Sequence, residues 1–93
     1  MNKIELKFNK ADTRLAGFPY GRKIFDEQVE NKINYNDKIT IIFPDQIEKI
    51  ASSFVQGFFA EIVKNIGYSG IERQVEISAR TPELISNIKK NIY

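Results

Sequence analysis

Apolar and polar residues alternate at the start of the chain: Ile4, Leu6 and Phe8 are separated by Glu5 and Lys7. A period of two predicts a strand with one buried face. The next segment, "NKADTRLAGFPYGRK", is rich in turn residues, and Leu15 and Phe18 allow part of it to pair as a second short strand. From Pro19 to Ile33 the pattern becomes helical. Ile24, Phe25, Val29 and Ile33 fall on one face, with Arg22 and Asp26 spaced i,i+4 on the other. Pro19 suits a first helical turn, and "NYND" predicts the stop.

"KITIIFP", Lys38 to Pro44, is a short apolar run with β-branched residues. It predicts a central strand buried on both faces, as in a parallel sheet. "DQIEKIA" reads as a connector. Phe54, Phe58, Ile62 and Ile66 then form one i,i+4 row, and Val55, Phe59 and Val63 a second. Two adjacent rows predict the main core helix. Small Gly57 and Ala60 predict close packing of that helix on the sheet, and Gly67 predicts its end. "QVEISA", Gln74 to Ala79, alternates again. Thr81 and Pro82 predict a cap and first position for a last helix with Leu84, Ile85, Ile88 and Ile92 on its stripe.

Strand and helix therefore alternate three times, which predicts an α/β fold: a mostly parallel sheet of three to five strands with about three helices. The 93 residues are expected to form one domain, 1–93. An exposed edge beside the first strand leaves dimers open.

Composition narrows the chemistry. Hydrophobic content of 42% and charged content of 28% are ordinary for a folded globular chain. A net charge of +2 does not by itself imply a nucleic-acid partner. No apolar run reaches the ~18 residues of a membrane span, and "MNKIELKFNK" has no apolar signal core, so the expected location is the cytoplasm. Cysteine and histidine are both absent. That excludes disulfides, thiol chemistry and any Ser-His-Asp or Cys-His site. No spacing of Asp, Glu and Lys suggests catalysis. The chain is therefore expected to be non-enzymatic, with no metal and no cofactor.

The remaining question is Ser52 and Ser53, which open the core helix. Serine is a preferred N-cap, and Ser53 followed by Gln56 matches a capping box. With Ser53 as the cap, Ser52 lies one residue outside the helix, beside the positive end of its dipole. A phosphate is stabilised in such a place.

The run "DKITIIFPDQIEKIASSFVQGFFAEIVKNIG" resembles the STAS-like domain family of unknown function in bacteria, as does the upstream "GFPYGRKIFDE". The resemblance spans Leu15 to Ile92. It implies kinship with anti-sigma factor antagonists, whose helix-opening serine is phosphorylated by a histidine-kinase-like ATPase. The unphosphorylated domain binds that partner, and phosphate releases it. By this resemblance Ser52 matches the phosphorylated serine. Ala51 and Phe54 depart from the pattern, which has Asp before the serines and Gly after them.

On this reading the expected partner is a protein, an anti-sigma-type kinase. The expected partner-binding surface is Asp45, Gln46, Glu48, Ser52, Ser53 and Gln56. The alternative is a small-anion, nucleotide or nucleic-acid site in the basic Gly17–Lys23 region. Gly21, Arg22 and Lys23 would hold the anion at a helix start, with Lys10 and Arg14 extending the patch and Phe18 and Tyr20 as stacking groups. Lys89 and Lys90 need only the dipole of the last helix to explain them.

Overall fold

A computed structural model describes residues 2–93. Nine elements follow in order: β1 (Asn2–Glu5), β2 (Arg14–Leu15), α1 (Phe18–Gln28), a 3-10 turn (Glu30–Lys32), β3 (Ile39–Ile42), β4 (Lys49–Ile50), α2 (Ser52–Gln74), β5 (Val75–Ser78) and α3 (Pro82–Ile92). β1, β3 and β5 form a parallel sheet in the order β1-β3-β5, and β2 and β4 form a separate parallel pair. The α/β class, the parallel sheet and three helices agree with the sequence pattern.

Period-two alternation sorts the three-stranded sheet into rows. Ile4, Ile41 and Ile77 are adjacent in register and buried. The next residues along each strand point the other way, as the pleat requires. Lys3, Glu5, Glu76 and Ser78 are exposed, and Thr40 and Ile42 between them are half-buried. Lys38 Nζ lies 2.9 Å from Glu76 Oε2 on the exposed side. The expectation that β3 is buried on both faces is therefore corrected. The run "ITII" is apolar throughout, but only Ile39 and Ile41 enter the core, and charged neighbours flank Thr40 and Ile42.

A cluster of phenylalanines sits within an otherwise aliphatic core. Phe58 is at its centre, with ring centroids 5.9 Å from Phe25, Phe43 and Phe54 and 4.9 Å from Phe59. All five rings are essentially inaccessible to solvent. Both predicted rows of α2 supply this core, with Phe54, Val55, Phe58, Phe59 and Ile62 buried and Val63 and Ile66 half-buried.

α1 packs chiefly on α2, and the crossing point is made by two glycines. A Cβ at Gly21 would collide with the Phe54 carbonyl oxygen, and one at Gly57 with the Phe18 carbonyl oxygen. Gly57 thus serves a helix–helix contact, not the helix–sheet contact its sequence position suggests.

α1 is shorter than its pattern. Val29 leaves helical geometry at φ −120°, and the chain continues as a 3-10 turn. α2 is longer, because helical hydrogen bonding resumes after a break at Gly67 (φ 70°, ψ 176°) and continues to Gln74. α3 starts as expected: Thr81 Oγ1 accepts the Leu84 N–H at 3.1 Å, and Pro82 follows the cap. At the end of the chain's first strand segment, Gln28 acts like a strand neighbour. Its Oε1 accepts the Lys7 N–H and its Nε2 donates to the Lys7 carbonyl, both at 2.8 Å.

Candidate functional site

The start of α2 is positioned by the β2–β4 pair. Glu48 N–H donates to the Thr13 carbonyl at 2.7 Å and Ala51 N–H to the Leu15 carbonyl at 2.8 Å. β2 leads into α1 and β4 leads into α2, so this short ladder sets the two helix starts side by side.

Neither serine takes the place expected of it. The N-cap of α2 is Ala51, in extended geometry (φ −72°, ψ 152°), and no side chain caps the helix. Ser52 is its first residue rather than a residue outside it. The capping box at Ser53 is not formed. Ser53 Oγ instead accepts the Gly17 N–H at 3.0 Å, across 36 residues of sequence. The reason is geometric. Ser53 is already inside the first turn, and the neighbouring start of α1 presents a donor there. Gly17 has φ 98°, a conformation glycine adopts without steric cost.

The two serines thus differ sharply in access. Ser53 is half-buried and occupied, whereas Ser52 is exposed. Phe54 is fully buried, with its ring edge-on to Tyr20 at 5.5 Å. Burial, then the charges of Asp12 and Glu27, hold the Tyr20 phenol above its ordinary pKa.

Asp45, Glu48 and Gln56 are exposed. Glu48 Oε2 is 3.5 Å from Arg80 Nη1. Gln46 is turned inward: its Nε2 donates to the Asn9 carbonyl at 2.6 Å and to the Asp12 carbonyl at 2.9 Å. Of the six residues expected to meet a partner, Gln46 and Ser53 therefore hold the fold together, and Asp45, Glu48, Ser52 and Gln56 present their side chains to solvent.

The basic Gly17–Lys23 region does not assemble as an anion cradle. Gly21 is buried at the helix crossing, and its N–H donates to the Gly17 carbonyl at 3.0 Å. Arg22 Nη2 donates to Glu61 Oε1 at 2.8 Å, and its Nε lies 3.6 Å from Asp26 Oδ1. Lys23 is exposed. Of the two proposed stacking groups, Phe18 is exposed while Tyr20 packs against Phe54.

What sequence reasoning missed is β4. Its Ile50 and the preceding Ile47 are buried, and two strand residues are too few to show a period of two inside "DQIEKIA". Among the described residues there is no acidic cluster able to hold a metal ion, and no helix is long and apolar enough to cross a membrane.

A family model described as a STAS-like domain of unknown function (DUF4325) matches residues 20–84. No curated protein and no solved structure matches the chain.

Proposed function

The chain belongs to the STAS-like domain family of unknown function, and from that premise we propose that it is a non-enzymatic interaction module of a bacterial regulatory switch. Its partner is a kinase of the histidine-kinase-like ATPase type, as for anti-sigma factor antagonists. The surface formed by Asp45, Glu48, Ser52 and Gln56 is the docking face, and phosphate on Ser52 is the release signal.

The observation that supports this reading is the division of labour between the serines. Ser52 is the exposed first residue of a helix whose start no side chain caps, while Ser53 is tied to Gly17. A phosphate on Ser52 adds a charge of about −1.5 to −2. The unpaired N–H groups of the first helical turn stabilise that charge in the free domain. In a protein contact the same charge must be desolvated, next to Asp45 and Glu48, and the contact breaks. Ala51 stands where anti-sigma factor antagonists carry an acidic residue, so the serine lacks that neighbour here.

The test is incubation with the kinase partner and ATP, followed by mass-spectrometric mapping and capture. Phosphate on Ser52, and loss of capture in Ser52→Glu, are expected. Phosphate on Ser53 or on no serine, or undiminished capture of Ser52→Glu, overturns the reading.

A further inference from the structure

An open cavity of about 580 Å³ lies between the β2–β4 pair and the start of α3. Leu15, Ala16, Ile50, Ala51 and Leu84 give it an apolar floor. Its volume is in the range of small-molecule pockets, and an apolar lining with a few polar groups at the rim is the usual composition of such sites.

The rim carries two exposed cations. Arg14 and Lys49 are direct neighbours in the parallel register of β2 and β4, and both line the cavity. Like charges held side by side on neighbouring strands repel each other. Neither has a carboxylate within ion-pair distance among the described residues. The cavity wall holds two carboxylates. Glu48 is engaged by Arg80, which lies outside the wall, leaving Glu83 on the first turn of α3. Two cations against one unpaired carboxylate leave a surplus of one positive charge.

We infer that this cavity is a binding site for a small organic monoanion, a carboxylate with an apolar body. The body rests on the exposed Ala16 and Ala51 and the edge of Leu84, and the carboxylate lies between Arg14 and Lys49, where it relieves their mutual repulsion. The surplus of a single charge matches a carboxylate better than a phosphate dianion. This site goes beyond the switch proposed above and does not require modification of Ser52, although Ala51 is shared between the cavity wall and the start of α2.

The test uses two probes with the same aromatic body. One is 8-anilinonaphthalene-1-sulfonate, whose sulfonate stands in for the carboxylate. The other is the neutral N-phenyl-1-naphthylamine. The expected result is saturable binding of the sulfonate, with amide shifts at Leu15, Ile50, Ala51 and Leu84 and at least about tenfold weaker binding of the neutral probe. The exposed double variant Arg14→Gln/Lys49→Gln should abolish that preference, while Lys3→Gln/Lys23→Gln, with the same change in net charge, should retain it. Equal affinity for both probes, shifts centred elsewhere, or a preference that survives Arg14→Gln/Lys49→Gln overturns the inference.

Discussion

The Ser53 hydroxyl accepts the Gly17 N–H at 3.0 Å and so joins the first turn of α2 to the residue that begins α1. One hydrogen bond thereby fixes two helix starts against each other. Removing the hydroxyl leaves a partly buried N–H without its acceptor. Ser53→Ala is expected to cost about 1 kcal/mol, a fall in Tm of about 4–8 °C for a domain of this size. Ser52→Ala, at an exposed position with no such bond, is expected to fall within about ±0.5 kcal/mol of the parent. Urea denaturation of the two variants side by side checks the contrast. Equal costs would refute the assignment of separate roles to the serines.

The crossing of α1 and α2 predicts a pair of coupled defects. Gly21→Ala and Gly57→Ala each push a methyl group into backbone of the opposite helix, at Phe54 and Phe18 respectively. Backbone cannot swing aside as a flexible side chain does, so each is expected to cost about 1–3 kcal/mol or more through overpacking. The two costs are not independent, because the separation that accommodates one methyl also makes room for the other. The double variant should therefore be less destabilised than the sum of the singles. A double-mutant cycle by chemical denaturation measures this, and strict additivity would show that the glycines do not share one crossing.

How much of this was legible in the sequence depended on the length of the repeat. The two apolar rows of α2 extend over several turns, and the Thr81–Pro82 start of α3 has a local chemical signature. Both are visible without tertiary information. β4 has two residues, too few to show any period, and its partner β2 lies some 35 positions earlier by register. Ser53 failed as a cap for a related reason. The capping box is a local pattern, whereas the donor that Ser53 meets is on another helix. Apolarity alone predicts that the β3 run is buried on both faces, yet the exposed sheet face is defined by Lys3, Glu5 and Glu76 on its neighbours. Spacing places Ser52 one residue outside the helix, whereas it is the first residue of that helix.

The aromatic cluster predicts where the fold is least tolerant. Phe58 touches four other rings and is fully buried. Phe58→Ala is expected to cost about 3–5 kcal/mol, through lost burial and the cavity left behind. Much of a small domain's total stability of about 5–15 kcal/mol would be lost. Phe58→Leu, which fills more of the space, should retain a cooperative transition at lower denaturant concentration. A Phe58→Ala variant with near-parent stability would mean that the rings close over the gap.

Alkaline pH should weaken the fold through its tyrosines. Tyr35 is half-buried, and its phenol is held above the ordinary pKa by burial first, then by the charges of Glu61 and Glu30. Tyr20 is raised as well, again with burial as the leading cause. A raised folded-state pKa means that the unfolded chain releases the proton first as pH rises. The stabilisation is therefore fully present below the ordinary tyrosine value of about 10 and is lost as pH climbs through the folded-state value. A variant at Tyr35 isolates the effect. Tyr35→Phe cannot ionise, and the unfolding free energy should decline less steeply for it than for the parent above pH ~10. Parallel slopes for parent and variant across that range would show that the Tyr35 phenol gains no protection from ionisation on folding.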